Sequence, residues 1–500
     1  MTPRTPETSM IWDSIYLTAE QMKLLDTAAG RFGVSEKELM RSAGEAIYRE
    51  VIAAVPDGDI AVVCGSGNNG GDGYAAAAML AEGGRSVTVI ASAPPRGESS
   101  RFFAERYASM GGETLHYADS PMQCADVIAD SAVVIDALFG FSFRGQLSGD
   151  YAELTELING SDAFVVSADM PSGVYADGGY ADGCVSADVT CTFSVNKPAT
   201  VSYPAYGFCG RVVLCDIGVP EEAMTDICSA GAILTDDVLG FAGKRPDNSN
   251  KGTFGTLLSI CGSPNMTGAA YLSAMGALRS GVGLLMIMSD SETLGVLKNR
   301  LSEPVFVPFL SGKPSRRYTA LLVGCGIGRV YDNVLGDILR GQQRITTIID
   351  ADGINYIASH INVLTEMQGD IILTPHPGEM ARLTGRTVDY VNANREECAR
   401  SFAMEFRCVL VLKGNRTVIA SPTGQVSICP VGCSALAKGG SGDVLAGVIA
   451  SLAAQGVSPY QAACVGVYAH ALAGDRLAAV WGERGVLPHD LPREIGRILG

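Results

Sequence analysis

The feature that most limits the fold of this chain is an alternation that runs through its 500 residues. Short runs rich in β-branched residues alternate with longer stretches rich in Ala, Leu and Glu. Parallel strands need a long connection, usually a helix, so this order predicts parallel sheets covered by helices. The predicted strands are residues 60–64, 86–91, 132–135, 163–168, 189–193, 212–216, 256–261, 320–323, 346–349, 371–373, 409–412 and 417–420.

The length of the chain indicates two domains. One hydrophobic core rarely serves more than about 250–300 residues. The character of the sequence changes between residues 220 and 245, where Pro220 is followed by a pair of acids and then a Gly-Lys-Arg-Pro run. We therefore predict one domain over residues 1–230 and another over residues 231–500. No obvious internal repeat relates the halves, so two different α/β domains are expected.

Charge and cysteine content restrict the partners and the compartment. The formal net charge is −16 and no basic run occurs, which argues against nucleic acid and anionic membranes as partners. No apolar stretch reaches the roughly 18 residues that span a bilayer, and the N-terminus lacks the order of a signal peptide. The 14 cysteines are scattered singly, as expected of free thiols. These features predict a soluble cytoplasmic protein.

A glycine-rich turn near the C-terminus, residues 435–447, is the best clue to chemistry. It reads Ala-Leu-Ala-Lys-Gly-Gly-Ser-Gly-Asp-Val-Leu-Ala-Gly and leads into an apolar stretch. Glycines let backbone N–H groups approach an anion, and the helix that follows favours a phosphate at its start. Asp443 would repel a phosphate, so proton abstraction is its expected task. A plain turn before a helix is the alternative.

A second glycine-rich stretch, residues 65–73, follows the first predicted strand of the N-terminal half. It contains five glycines, two asparagines and Asp72, and we expect it to be a loop before a helix over residues 74–82. Such a loop can hold a phosphate or a ribose. The spacing is not that of the Gly-x-Gly-x-x-Gly dinucleotide fingerprint. A turn with capping Asn and Asp side chains is the alternative.

Oxygen-bearing side chains follow two further strands of this half. Asp136 ends one strand, and Asp169 with Ser172 follows the next. Strand ends of a parallel sheet meet at one edge, so these residues are expected to converge on one pocket. Asn69, Asp136 and Ser172 offer an amide oxygen, a carboxylate and a hydroxyl, which suit a hard cation of low charge such as K⁺. Helix capping is the alternative for each Asp.

The Gly-x-Gly-Asn-Asn-Gly-Gly-Asp-Gly stretch, Asp-Ala-Leu-Phe-Gly and Asp-Met-Pro-Ser-Gly resemble the NAD(P)H-hydrate epimerase family over roughly residues 15–220. The resemblance implies a Rossmann-like three-layer α/β/α domain with K⁺ held by Asn69, Asp136 and Ser172. Asp169 would face the nicotinamide ring as the acid/base group. Lys197 is a second candidate, although a solvated lysine is the favoured reading. The implied hydrate contacts are Asn68, Asn69, Gly70, Gly71, Asp72, Gly140, Phe141, Ser142, Phe143, Arg144, Gly145, Gln146 and Asp169.

The C-terminal half has a matching set of strand-end and turn motifs. These are the 262–270 turn, Asp350 with Asp352 and Asn355, His376 in Pro-His-Pro-Gly-Glu, and Lys413-Gly414 in a hairpin-like turn. Each motif alone has a plain reading: helix caps for the two acids, a packed loop residue for His376, and an exposed turn for Lys413. Their order before the final Gly-Ser-Gly-Asp is the more specific feature.

That order resembles the ribokinase-like superfamily, and within it the ADP- or ATP-dependent NAD(P)H-hydrate dehydratases, from about Asn250 onward. The resemblance implies a ribokinase-like α/β domain. The implied nucleotide contacts are Lys413, Gly414, Asn415, Arg416, Thr417 and Gly442. Ala270, Gly328, His376 and Asp443 would line the hydrate side. Mg²⁺ would accompany the nucleotide, with Glu379 as an outer ligand.

The implied reaction converts the C6 hydroxyl, a poor leaving group, into a phosphate, which is a good one. Asp443 would take the C6 hydroxyl proton of the S hydrate, the oxygen would attack the terminal phosphoryl group, and expulsion of phosphate would restore NAD(P)H. We expect ADP as the donor, NADHX and NADPHX as substrates, and a homo-oligomer. Met266, Cys325 and the 432–438 segment depart from the usual dehydratase pattern.

Two other functions stay open at this stage. A hydroxymethylpyrimidine- or sugar-type kinase of the same superfamily would release a stable phosphorylated product, with the N-terminal domain binding without catalysis. A non-catalytic scaffold protein is the second alternative, although it would have no need for Asn69, Asp136, Asp169 and Ser172.

Overall fold

The computed structural model describes residues 13–309, 317–329, 331–341 and 344–500. The chain divides into two compact units, Met1–Ala232 and Ile233–Gly500. Both units contain a mostly parallel sheet with helices between its strands, which confirms the predicted α/β fold class. No helix among the described residues has both the length and the apolar character needed to cross a membrane.

The N-terminal unit alternates strands and helices after a short first strand. Its strands are β1 (Ile15–Tyr16), β2 (Ile60–Cys64), β3 (Val87–Ala91), β4 (Glu113–His116), β5 (Val133–Ala137), β6 (Phe164–Ala168), β7 (Val189–Phe193), β8 (Arg211–Cys215) and β9 (Gly231–Ile233). Its helices are α1 (Ala19–Arg31), α2 (Glu36–Ala54), α3 (Asn68–Glu82), α4 (Glu98–Ser109), α5 (Pro121–Asp130), α6 (Asp150–Gly160) and α7 (Pro198–Val201).

Seven strands of this unit form one parallel sheet in the order β4-β3-β2-β5-β6-β7-β8. Alternate residues of β2 enter different cores. Ile60, Val62 and Cys64 pack with helices α1 to α4, whereas Ala61 and Val63 pack with α5 and α6. The sheet is therefore covered on both faces. Its strand order reverses between β2 and β5, where ligands bind in open α/β sheets.

Helix α3 begins at Asn68, so the expectation of a loop through residue 73 is wrong. Gly70, Gly71 and Gly73 lie within the helix, and the neighbours of each leave no room for a side chain. A methyl group on Gly70 would collide with the carbonyl of Gly65, and one on Gly71 would lie 2.5 Å from the Met40 side chain. One on Gly73 would lie 2.7 Å from the Ala137 side chain, so glycine lets α3 lie close against the sheet.

The C-terminal unit repeats the alternation with a different topology. Its strands are β10 (Thr256–Ile260), β11 (Leu284–Ser289), β12 (Val305–Pro308), β13 (Ala320–Val323), β14 (Thr346–Ile349), β15 (Ile371–Leu373), β16 (Val409–Leu412), β17 (Val418–Ala420) and β18 (Val426–Ile428). Its helices are α8 (Thr267–Arg279), α9 (Ser291–Lys298), α10 (Asp332–Arg340), α11 (Asp352–Ser359), α12 (Asn362–Glu366), α13 (Pro377–Thr384), α14 (Val388–Ala393), α15 (Arg395–Glu405), α16 (Ser441–Ala454), α17 (Pro459–Trp481) and α18 (Leu491–Ile498).

Its strands follow the order β12-β11-β10-β13-β14-β15-β16-β17-β18. Pairing is parallel from β12 to β16 and antiparallel from β16 to β18, so the predicted hairpin after Lys413 is present. Alternate residues of β16 again enter two cores: Val409 and Val411 on one face, Leu410 and Leu412 on the other. The order reverses between β10 and β13, which places a second ligand crevice at their carboxyl ends.

Helix α16 lies close against α8 because small residues face each other. A methyl group on Gly447 would collide with the carbonyl of Ser273, and one on Gly276 would collide with the carbonyl of Val444. The two backbones therefore meet without intervening side chains. This contact fixes the first half of α16, which carries Asp443, against the middle and second half of α8.

We predict that Gly447→Ala destabilises the C-terminal unit by about 1–3 kcal/mol, because the helices must separate or shift to admit one methyl group. Thermal and urea unfolding of the intact chain would measure the loss. Gly295→Ala is the matched control, since Gly295 lies within α9 with open space around it. It should be neutral or stabilising by up to about 1 kcal/mol. Equal effects of the two substitutions would refute the close helix contact.

Candidate functional site

A cavity of about 530 Å³ lies at the carboxyl edge of the N-terminal sheet. Residues after β2, β5 and β6 form one side of it, and α1 and α2 supply residues to the wall. The lining residues are Met22, Asp26, Gly30, Val34, Glu36, Leu39, Met40, Ala43, Ser66, Gly67, Asn68, Asn69, Asp72, Leu138, Phe139, Gly140, Phe141, Ser142, Asp169, Phe193, Ser194 and Ile217. Its position coincides with the reversal of strand order.

The structure brings about half of the expected hydrate contacts to this wall. Those that line it are Asn68, Asn69, Asp72, Gly140, Phe141, Ser142 and Asp169. Those that do not are Gly70, Gly71, Phe143, Arg144, Gly145 and Gln146. Gly70 and Gly71 are buried in α3, and the exposed Arg144 pairs with Asp177 at 2.5 Å. The Phe143 ring stacks on Tyr175 with centroids 5.9 Å apart.

Asp169 is the most firmly held group of the cavity. It is buried and adopts a left-handed backbone conformation with φ 63°. The Phe141 N–H donates to its Oδ2 at 2.8 Å, and the Lys197 ammonium donates to its Oδ1 at 2.7 Å. A side chain on Gly140 would lie 3.0 Å from Oδ2, so the missing side chain keeps the approach to this carboxylate open. Asp169 is therefore a fixed anion at the cavity wall.

Lys197 is fully buried, so the reading of it as a solvated lysine is wrong. Its ammonium also donates to Thr192 Oγ1 and to the carbonyl of Phe193, both at 2.9 Å. With Asp169, these acceptors use all three ammonium protons. Lys197 does not line the cavity, and its contacts make it the counter-ion that positions Asp169.

Helices α1 and α2 add acidic groups that motif reasoning missed. Asp26 and Glu36 line the cavity together with Asp72 and Asp169. Desolvation at the cavity wall, with the nearby Asp169 charge, raises the pKa of Asp26 to about 6 and the pKa of Asp72 well above its usual range. Asp26 is exposed to solvent and Asp72 is partly exposed, and neither carboxyl group hydrogen-bonds to another described residue. In the sequence, Asp26 is an isolated acid in an amphipathic helix, a pattern that does not indicate a site.

The proposed K⁺ ligands lie around the end of β5. Ser172 donates its hydroxyl to Asp136 Oδ1 at 2.5 Å and its N–H to Oδ2 at 2.8 Å. Burial raises the pKa of Asp136, against the effect of these hydrogen bonds. The Asn69 Nδ2 atom is buried and has no hydrogen-bond partner among the described residues. The Asn69 amide oxygen, the Asp136 carboxylate and the Ser172 hydroxyl form an all-oxygen set, which fits a monovalent cation.

In the C-terminal unit, Asp350 joins several groups at the crevice between strand ends. Lys413 Nζ and Thr374 Oγ1 each donate to Asp350 Oδ1 at 2.7 Å. The Cys325 thiol lies 3.8 Å from Oδ2. Asp350 therefore does not cap α11, and Lys413 is not a free surface residue. Asp352 does not cap the helix either, because its Oδ2 accepts from the Gly328 N–H at 2.8 Å.

Asp443 lies in the first turn of α16 and faces this cluster. The Cys325 Sγ atom and one carboxylate oxygen each of Asp350 and Asp443 lie within 4.8 Å of one another. Burial, followed by the Asp350 charge, raises the pKa of Asp443 to about 7, while Lys413 opposes the shift. A side chain on Gly442 would lie 3.4 Å from Lys413 Nζ. The glycine thus brings the loop backbone close to an ammonium group, an arrangement suited to a phosphate.

The remaining expected hydrate contacts have different exposures. Ala270 is buried against the Gly262 turn, whereas Gly328 is partly exposed. His376 is half-exposed and caps α13 by accepting from the Gly378 N–H at 3.0 Å. His376 is therefore not the packed loop residue that the alternative interpretation expected. Burial and the Lys413 charge lower its pKa, which favours the neutral ring.

Arg395 holds the hairpin that is expected to bind the nucleotide. This buried side chain donates to the carbonyls of Leu412 and Lys413 at 3.1 and 3.4 Å. A side chain on Gly414 would lie 2.9 Å from its guanidinium, so glycine lets the turn rest on it. Gly414 and Asn415 are exposed, which leaves the turn accessible to a ligand.

His470 supports the glycine-rich loop and was not predicted. Its Nε2 lies 3.1 Å from both the hydroxyl and the carbonyl oxygen of Ser441, the first residue of α16. Burial lowers the pKa of His470 to about 4, so the ring is neutral. It therefore anchors the start of α16 without adding a charge beside Asp443.

Both units match known families. Residues 36–199 match the family described as YjeF-related protein N-terminus, and residues 257–497 match the family described as NAD(P)H-hydrate dehydratase. A bifunctional NAD(P)H-hydrate repair enzyme from Moorella thermoacetica is 36% identical, over 95% of this chain and 94% of its own. One from Escherichia coli is 31% identical, over 94% of this chain and 91% of its own.

A solved structure also resembles the C-terminal unit. It is the ADP/ATP-dependent NAD(P)H-hydrate dehydratase of Bacillus subtilis, co-crystallised with ATP and Mg²⁺. The identity is 31% and the TM-score 0.48, and the match covers 53% of this chain and 96% of that chain.

We predict that Lys197→Met destabilises the N-terminal unit by about 3–5 kcal/mol, because it leaves the buried Asp169 carboxylate without its counter-ion. Urea unfolding would measure the loss. Arg106→Met is the control: its ion pair with Glu82 at 2.6 Å is partly exposed on both sides and is worth about 0–1 kcal/mol. A loss for Lys197→Met as small as that of the control would contradict the structural role of the buried pair.

Proposed function

The chain belongs to the family of bifunctional NAD(P)H-hydrate repair enzymes, and we propose that its two units carry the two reactions of that repair. The N-terminal unit interconverts the R and S epimers of hydrated NADH and NADPH at C6. The C-terminal unit dehydrates the S epimer at the expense of ADP, with AMP and phosphate as the other products. The arrangement of Asp443 at the start of α16, beside the Lys413–Asp350 pair, carries the dehydratase assignment.

Asp443 is suited to act as the general base. A carboxyl group with a pKa of about 7 binds a proton well and is about half ionised in neutral solution. It takes the proton of the C6 hydroxyl, and the oxygen attacks the terminal phosphoryl group of the nucleotide. The N–H groups at the start of α16 stabilise negative charge on the phosphoryl oxygens. The ring nitrogen then expels phosphate and NAD(P)H is restored.

The nucleotide lies on the hairpin of residues 413–417, next to Gly442. Lys413 supplies positive charge and Arg395 holds the turn in place. Mg²⁺ prefers oxygen ligands and is usually held by substrate phosphates with one or two carboxylates. Asp350 offers such a carboxylate, with Glu379 in an outer position, whereas the Cys325 sulfur does not suit this ion. When bound, Mg²⁺ neutralises charge on the transferred phosphoryl group.

ADP is the proposed donor, with Ala270, Gly328 and His376 on the hydrate side of the crevice. The Bacillus subtilis enzyme is described as dependent on ADP or ATP, so both nucleotides need to be tested. A small-molecule kinase is the less supported alternative, because relatives that match nearly the whole chain are repair enzymes.

The epimerase reaction belongs in the cavity of the N-terminal unit. Asp169 faces the hydrated ring as a fixed carboxylate, and Asn68, Asn69, Asp72, Gly140, Phe141 and Ser142 surround it. Asn69, Asp136 and Ser172 would hold K⁺, which would supply positive charge near an otherwise acidic wall. Free cysteines throughout the described chain fit a reducing cytoplasm. Assembly into a homo-oligomer stays a prediction.

The repair assignment predicts complete, nucleotide-dependent recovery of NADPH from a mixture of R and S hydrates, followed by the absorbance of NADPH. Asp443→Ala should lower the rate by about 10²–10⁴-fold, as expected for loss of a general base. Asp337→Ala is the control, because this side chain is exposed on α10. A stable phosphorylated product, or no recovery with ADP or ATP, would refute the dehydratase assignment and favour a kinase.

We predict that kcat/KM of the dehydratase rises with pH and levels off above about pH 7. The base must be ionised to accept a proton, and the pKa of Asp443 in the free protein is about 7. The test uses purified S hydrate with ADP and Mg²⁺, and rates are corrected for the reaction without enzyme. A profile without an acidic limb would exclude Asp443 as the titrating base.

K⁺ should raise the thermal unfolding temperature of the wild-type N-terminal unit relative to tetramethylammonium, because binding to the folded state stabilises it. Ser172→Ala should remove this K⁺-dependent increment, whatever it does to the baseline. Ser109→Ala, at the exposed end of α4, should keep it. An equal increment in Ser172→Ala would place the ion elsewhere.

A further inference from the structure

The cavity of the N-terminal unit holds more carboxyl groups than the proposed epimerase reaction has used. Four acidic residues line it: Asp26, Glu36, Asp72 and Asp169. The positive charge of Lys197, which pairs with Asp169, lowers the pKa of Asp26. Asp169 is ion-paired and accepts a backbone N–H. Asp26 and Asp72 have no such partners among the described residues. One wall thus presents carboxyl groups in different electrostatic environments.

Moving a hydroxyl group from one face of a ring carbon to the other requires both an acid and a base. C6 of the hydrate bears a hydroxyl and is bonded to the ring nitrogen N1, so the ring can open to an aldehyde. Opening requires removal of the hydroxyl proton and delivery of a proton to N1. One carboxylate that is already ion-paired cannot do both at once.

We propose that Asp26 is a second catalytic residue of the epimerase, the acid that protonates N1 while the Asp169 carboxylate takes the hydroxyl proton. This inference rests on the proposed epimerase function. The C6–N1 bond breaks as the C6–O bond becomes a carbonyl, and N1 receives the Asp26 proton. The aldehyde then turns about its C5–C6 bond and closes on its other face. N1 returns its proton to Asp26, and the oxygen regains one from Asp169.

This sequence balances without any further reagent. Each carboxyl group ends in its starting state, no electrons are gained or lost, and the product is the opposite epimer. Two carboxyl groups divide the roles because their environments differ, a general pattern in acid–base catalysis. A nicotinamide hydrate in the cavity also displaces water, and loss of water favours the protonated form of an unpaired carboxyl group.

The electrostatics of the apo cavity agree with this division. Desolvation at the cavity wall, together with the Asp169 and Glu36 charges, raises the pKa of Asp26 to about 6, while Lys197 opposes the shift. Burial, followed by the Asp169 charge, raises the pKa of Asp72 well above its usual range, which favours the protonated form. Asp26 lines the cavity together with Asp169 and is open to solvent, and a pKa of about 6 suits a group that must give and regain a proton in each turnover.

The test follows conversion of purified R hydrate into the S form without nucleotide, so that the dehydratase is silent, and subtracts the uncatalysed rate. Asp26→Asn should lower kcat by about 10²–10⁴-fold with little change in KM. It should also abolish the fall of kcat/KM at pH values above the Asp26 pKa, because that fall reports loss of the acid. Asp26→Glu should restore part of the rate.

Asp126→Asn is the matched control, since Asp126 is exposed on α5 and does not line the cavity. It should keep the wild-type rate and its alkaline limb. Circular dichroism and thermal unfolding of each variant would show whether the N-terminal unit is folded.

Three results would overturn the assignment. If folded Asp26→Asn keeps both its rate and its alkaline limb while Asp169→Asn loses activity, the epimerase stands and Asp26 is not its acid. If Asp26→Asn is slow but keeps the alkaline limb, and Asp26→Glu gives no rescue, Asp26 has a structural role. If the wild-type chain does not interconvert the epimers at all, the epimerase function itself fails, and this inference fails with it.

Discussion

A buried lysine–aspartate pair organises the polar groups in each unit. In the N-terminal unit Lys197 holds Asp169, and in the C-terminal unit Lys413 holds Asp350, both at 2.7 Å. Each lysine neutralises one carboxylate and leaves another in the same crevice without a full counter-charge. Asp26 and Asp443 are those second carboxyl groups, and their pKa values are raised to about 6 and about 7. The same arrangement thus places an ion-paired carboxylate near a carboxyl group of raised pKa in both units, which is the basis of the proton-transfer roles proposed for Asp26 and Asp443.

The parallel sheets explain why these pairs form at all. Residues that follow neighbouring parallel strands emerge at the same edge, and the reversal of strand order separates the helices that would otherwise cover it. In the N-terminal unit this brings together the ends of β2, β5 and β6, and in the C-terminal unit the ends of β13, β14 and β16. Lys413 donates a hydrogen bond to Asp350, 63 positions away in the chain, because both residues follow strands that end at this edge.

Glycine decides how closely the helices approach these edges. Gly73 lets α3 lie against the N-terminal sheet, and Gly447 lets α16 lie against α8. Both helices carry acidic residues of a site near their first turns, so backbone contact fixes where Asp72 and Asp443 lie. His470 and Arg395 support the neighbouring loops from behind through contacts to backbone atoms. The geometry of both proposed sites therefore depends on close packing as much as on charge.

The sequence by itself determined the α/β class, nearly all the central strands and the strand-end motifs, because hydrophobic periodicity and glycine-rich turns are local signals. It missed β11, in which only Ile287 is β-branched, and the short strands β1, β4, β9, β12 and β18. Tertiary structure decided that Lys197 is buried, that α3 begins at Asn68, and that Asp26 joins the cavity. Burial, pairing and the pKa of a carboxyl group depend on neighbours distant in sequence, and no local pattern encodes those distances.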